Sequence, residues 1–159
     1  MGYTELMPLL SPADQQKLTE LFSEMTRNVR LLFFTQALGS ESCLQTRQIL
    51  DELPPLSDRI TIEEANVVLD VDRAKAFGID RAPGVAILYE EPALLEGAAP
   101  TVTDSRMRFL GPTAGYEFMS LIHAVLLAGG GASELTDQSR SALAAVQAPM
   151  TIQVFSTPT

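Results

Sequence analysis

From Leu10 to Met25 the apolar residues Leu18, Leu21, Phe22 and Met25 recur at helical spacing, which predicts an α-helix with one face buried. Ser11 stands where a cap is needed, Pro12 suits the first turn, and Asp14 follows the cap by three residues. The pattern then changes. Val29-Arg30-Leu31-Leu32-Phe33-Phe34-Thr35 is a short, nearly unbroken apolar run, the signature of an interior strand in a sheet covered on both faces. Ser42 to Leu53 reads as a second helix, capped by Ser40 or Ser42 and ended by Pro54-Pro55, which puts Cys43 in its first turn. Ile60 to Asp70, with the apolar set Val67, Val68 and Leu69, predicts a second strand, and Val71 to Phe77 a short helix stopped by Gly78. Val85 to Tyr89 is the next strand, entered through Ala82-Pro83-Gly84; Met107 to Leu110 is its hairpin partner after the long connection from Glu90 to Ser105. Gly111-Pro112 opens a helix ending near Leu127. A parallel pair joined by a crossover helix, then an antiparallel hairpin and a closing helix, predicts an α/β fold: a three-layer sandwich around a mixed four-stranded sheet.

Two further segments repeat the opening. Ser133 to Val146 reads as an amphipathic helix with Asp137-Gln138 near its start, as Asp14-Gln15 stand in the first, and Met150 to Thr157 reads as a strand ending in Phe155-Ser156-Thr157. The self-similarity predicts a division at residue 130: a complete unit over 1–130, and the first helix and strand of a second, truncated unit over 131–159. The extra strand, Met150 to Phe155, is apolar. An open apolar strand recruits partners, so it is expected to pack on an edge of the first unit or of a second copy, giving a homo-oligomer.

Composition narrows the class. The 159 residues are 46% hydrophobic and 19% charged, with 11 basic against 20 acidic side chains and a formal charge of −9. That fits one domain, or one domain and part of another, and excludes a disordered chain. The uncharged stretch from Phe118 to Ser133 holds His123 and Gly129-Gly130-Gly131, and no run of about 20 apolar residues occurs, so no membrane span is expected. Glu5 precedes any cation and the apolar patch Met7 to Leu10 is too short for a secretion signal, so a cytoplasmic protein is expected. The acidic balance argues against nucleic acid as a partner. Cys43 is the single cysteine, so no disulfide can form within the chain; together with the single His123 it leaves no four-ligand cysteine–histidine metal site. No cofactor is implied. The pairs Asp70/Asp72 and Glu90/Glu91 read as solvated charges, and His123, beside Leu121, Ile122 and Val125, as a structural residue.

A strand, a short loop, a cysteine at a helix start and a later Ala-Pro leading into a strand are the parts of a thioredoxin-like site. Partial positive charge and free N–H groups at a helix start favour thiolate over thiol, and the thiolate is what attacks disulfides. The chain resembles the protein disulfide oxidoreductases built from two tandem thioredoxin-like units, also described as glutaredoxin-like domain proteins. The matching segments are Phe33-Phe34, Cys43, Ile79-Asp80-Arg81-Ala82-Pro83, the block from Arg108 to Phe118, and Val154-Phe155-Ser156-Thr157-Pro158-Thr159. The resemblance implies a cis bond before Pro83, with the backbone of Ala82, flanked by Ser42 and Leu44, forming a groove for a bound peptide. It also implies that the last segment precedes a second unit's C-P-x-C motif, beyond Thr159.

One departure counts for more than the matches. Family members carry C-x-x-C or a relic of it, and here the positions are Cys43-Leu44-Gln45-Thr46. In a dithiol cycle the second sulfur resolves the mixed disulfide formed by the first, and the hydroxyl of Thr46 forms no disulfide. Cys43 is left at most a one-thiol reaction, with disulfide-containing proteins or small thiols as partners. The alternative is a non-catalytic peptide-docking or scaffold unit, in which Cys43 is an inert buried thiol.

Overall fold

The computed structural model describes residues 8–36, 40–91 and 99–156. In chain order they form α1 (Pro12–Ser23), β1 (Asn28–Thr35), α2 (Glu41–Asp51), a 3-10 turn (Pro54–Leu56), β2 (Ile60–Asn66), α3 (Val71–Ala76), β3 (Gly84–Glu91), β4 (Thr101–Leu110), α4 (Tyr116–Ala128) and α5 (Asp137–Ala144). The Ser11 side chain caps α1 by accepting from the Asp14 N–H, at 3.2 Å.

The strands join in one mixed sheet of order β2-β1-β3-β4, with β1 parallel to β2 and antiparallel to β3, and β3 antiparallel to β4. The apolar run of β1 is interior, as its pattern demands. Alternation along a strand sends neighbours to opposite faces. Val29, Leu31 and Phe33 join the cluster built with Leu18 and Phe22 of α1, Leu50 of α2 and Leu121, Ile122 and Val125 of α4. Leu32 and Phe34 join the smaller cluster with Ala74 of α3 and Ile79. The sheet is therefore covered on both faces, in three layers.

Several boundaries differ from the expectation, each for a local reason. The second strand ends at Asn66, because the Asn66 Oδ1 accepts from the N–H groups of Val68 (2.9 Å) and Leu69 (3.1 Å) and turns the chain out of the sheet. Val68 and Leu69 consequently stand exposed. The fourth helix starts at Tyr116, not at Gly111-Pro112, because Gly111 (φ 117°) and Gly115 (φ 64°) adopt backbone conformations no helix tolerates. His123 lies on the exposed face of α4. The last helix is shorter than expected and is capped by Thr136, whose Oγ1 accepts from the Ser139 N–H at 3.2 Å. No C-terminal strand is formed among the described residues. Residues 150–156 lie outside the sheet, with Ile152, Val154 and Phe155 exposed. A strand exists only through a ladder with a neighbour, and among the described residues this segment has none; Ser156 instead hydrogen-bonds to the Glu117 carboxylate.

The register of β3 and β4 shifts between Ala86 and Leu88, and Arg106 opposite the shift takes φ 63°. A non-glycine side chain in the left-handed region costs about 1–2 kcal/mol, partly offset when glycine loosens the unfolded chain. Arg106→Gly is expected to raise the urea midpoint by an amount worth about 0.5 kcal/mol, with a circular-dichroism melt as the check.

Arg108, further along β4, lies over the Phe77 ring at 5.4 Å, donates to the Phe77 carbonyl at 2.7 Å, and grips both Asp104 oxygens at 2.5 and 2.8 Å. Burial pushes the Asp104 carboxyl up, but the Arg108 hydrogen bonds and the Arg106 N–H outweigh it and hold the group below its ordinary 3.8. A depressed folded value adds stability above the unfolded value, lost as pH falls through the folded one. Unfolding followed from pH 5 down to 2 is expected to be less acid-sensitive in Asp104→Asn than in the parent; equal slopes would contradict this.

Candidate functional site

Four chain segments meet at one end of the sheet. Thr35 pairs with Asn66, Phe34 with Gly84 and Gly84 with Leu110, so the ends of β1, β2 and β4 and the start of β3 lie together. Helix α2 begins at this end. Ser40 caps it: its Oγ accepts from the Cys43 N–H at 3.2 Å and shares a 2.9 Å hydrogen bond with the Ser42 hydroxyl. Cys43 is thereby fixed at the third helical position, in the region of positive helix-end potential. It is 4% exposed, whereas Leu44 beside it is 74% exposed.

A cavity of about 350 Å³ opens here, lined by Phe33, Thr35, Ser40, Cys43, Leu44 and Arg47, with Gln36, Glu41 and Glu64 completing the wall. Arg47 is held twice: its Nε meets both Asp51 oxygens at 2.9 Å, and its guanidinium pairs with Glu64 of β2. One turn beyond Cys43, Thr46 is fully buried, and its Oγ1 has no hydrogen-bond partner. Thr113, just past β4, is in the same condition. The Ala82-Pro83 bond is cis, Pro83 is buried, and its carbonyl accepts from the Gly111 N–H at 2.8 Å. Ala82 packs against the apolar cluster that contains Cys43.

Of the residues read from the sequence, Cys43 and Leu44 line the cavity. Ser42 braces the cap, Thr46 is buried in the core, and Ala82 and Pro83 are not among the residues that line the cavity. Arg47 and Glu64 were missed. The Arg47/Asp51 spacing was a visible signal for one helix face, but Glu64 arrives through the pairing of Phe33 with Glu64 across β1 and β2, which only the register discloses. Among the described residues no three of His, Cys, Asp and Glu could share a metal ion, and no helix is long and apolar enough to cross a membrane.

No family model matches the chain, and no curated protein does. Solved structures do. The NTD_N/C domain of alkylhydroperoxide reductase AhpF from Enterococcus faecalis is 25% identical at a TM-score of 0.68, over 83% of this chain and 58% of that one. A second structure of AhpF from the same organism gives 25% and 0.69, over 86% and 60%. The fold is thioredoxin-like. A protein disulfide oxidoreductase from Aeropyrum pernix shares it at 23% identity and a TM-score of 0.64, over 85% of this chain and 54% of that one. The chain spans less than two thirds of the length of each of these proteins. Within this thioredoxin-like architecture the cysteine cavity and the cis proline share one end of the sheet, since Phe33 and Thr35 line the cavity and Gly84, next to Pro83, pairs with Phe34 between them.

Proposed function

We propose that this chain is the first unit of a tandem thioredoxin-fold thiol–disulfide oxidoreductase, with Cys43 as a one-thiol site and the main dithiol motif in a second unit beyond Thr159. The observation that carries the reading is Cys43 at the third position of a capped helix, on the wall of the strand-end cavity. Similarity to the reductase and oxidoreductase structures supports it. Residues 131–159 are then the first helix and strand of the second unit, which accounts for the exposed Leu143, Val146, Ile152 and Phe155; in isolation they would pair copies of the chain.

The chemistry is a two-step exchange. The Cys43 thiolate attacks one sulfur of a protein or small-molecule disulfide; the Cys43 S–S bond forms as the substrate bond breaks, and the second sulfur leaves as thiolate. A small thiol then attacks the outer sulfur, frees Cys43 and carries the substrate half away as a new disulfide. Thr46 supplies no resolving sulfur, so the second thiol must come from solution or from a neighbouring unit.

The folded protein exposed to a small disulfide is expected to gain one adduct by intact mass, reversed by added thiol and absent in Cys43→Ser. The near-complete burial of Cys43 favours a second reading, a peptide-docking unit without chemistry. An adduct that forms only in denaturant would sink the exchange and leave the docking role.

A further inference from the structure

The cavity beside Cys43 carries charge that the exchange chemistry does not use. The cation on its wall, Arg47, is committed: Asp51 holds the Nε edge from the same helix and Glu64 holds the other side from β2. Two carboxylates on one guanidinium leave the trio with an excess negative charge. Glu41, in the first turn of α2, adds another carboxylate to the wall. Among the described residues no free cation lines the cavity to receive an anionic group, and the chain as a whole carries −9. A ligand entering here meets carboxylates on the wall that Cys43 shares and a guanidinium already neutralised.

We infer that the Cys43 cavity selects its disulfide by charge, taking cationic and neutral disulfides in preference to anionic ones. The inference rests on the one-thiol reading above and gives it a substrate class: amine-bearing disulfides, or protein disulfides flanked by lysine or arginine. Glu64, Arg47 and Glu41 are the positioning residues that set the preference, while Cys43 alone forms and breaks bonds. The step is the exchange already written, with one substrate sulfur bonded to Cys43 and the other released as thiolate.

The experiment uses the intact chain and measures the rate of mixed-disulfide formation with cystamine (cationic), hydroxyethyl disulfide (neutral) and oxidised glutathione (anionic). Each rate is divided by the rate at which the same disulfide reacts with an uncharged reference thiol, N-acetylcysteine amide, which removes the intrinsic reactivity of the probe. The normalised cystamine rate is expected to exceed the glutathione rate by at least about fivefold at low ionic strength, narrowing as salt is raised. Glu64→Gln is expected to shrink the ratio and Arg47→Gln to widen it. Glu20→Gln, at an exposed position of α1, removes the same unit of charge away from the cavity wall and should leave the ratio unchanged. Equal or reversed rates, or a ratio that Glu20→Gln moves as much as Glu64→Gln does, would overturn charge selection at the cavity while leaving the exchange intact. Failure of all three probes, the neutral one included, would overturn the one-thiol reading and the selection with it.

Discussion

Thr46→Cys is expected to turn a one-thiol site into a dithiol site. Position 46 lies one helical turn after Cys43 on the same buried face of α2, and residues so spaced have Cα atoms close enough to be bridged by a disulfide. The new thiol would resolve a mixed disulfide at Cys43 intramolecularly, so disulfide reduction with a dithiol reductant should rise at least about a hundredfold over the parent. The substitution is also favourable to the fold. A buried hydroxyl with no partner costs about 1–3 kcal/mol, and Thr46 Oγ1 is such a group; a thiol there is apolar enough to sit in the core. Thr46→Val is the matching control, expected to raise stability by about 1–2 kcal/mol with no gain in reduction. If Thr46→Cys still titrates as two free thiols after mild oxidation, the geometry of the site is not that of a redox pair.

The legible parts of this molecule were those whose cause is local. The cap at Ser11, the continuous apolar run of β1, the stop at Gly78 and the helix start beneath Cys43 each depend on residues a few positions apart. The thioredoxin-like order of elements followed from them. The illegible parts needed a partner from elsewhere. Val68 and Leu69 read as strand because they are apolar, yet the Asn66 side chain captures their N–H groups and ejects them. Met150 to Phe155 has a strand's composition but pairs with neither edge of the sheet. Glu90 read as solvated charge, but β1 brings Arg30 diagonally across from it, and the two pair at 2.8 Å. At the candidate site the cysteine and the proline could be named in advance, whereas the Arg47/Glu64 pair exists only through the register of β1 and β2.

The other large effect is expected at two adjacent phenylalanines, only one of which bears on Cys43. Phe33 and Phe34 are 1% and 0% exposed, so truncation of either to alanine should cost about 3–5 kcal/mol, a large share of a typical domain's stability. They point to different layers. Phe33 lines the cavity and shares the cluster of Cys43, whereas Phe34 packs with Ile79 and, at 6.3 Å between ring centroids, with Phe77 on the opposite face. The milder Phe33→Leu and Phe34→Leu replace the ring by a smaller aliphatic side chain and are expected to keep the protein folded. Loss of the Phe33 ring widens the cavity around the sulfur, so alkylation of Cys43 by an uncharged reagent should accelerate severalfold in Phe33→Leu. In Phe34→Leu the whole sheet stands between the defect and the sulfur, and the rate should stay at the parental value. Equal acceleration in both variants would mean that Cys43 reacts only through global opening, with the cavity giving no access to its sulfur.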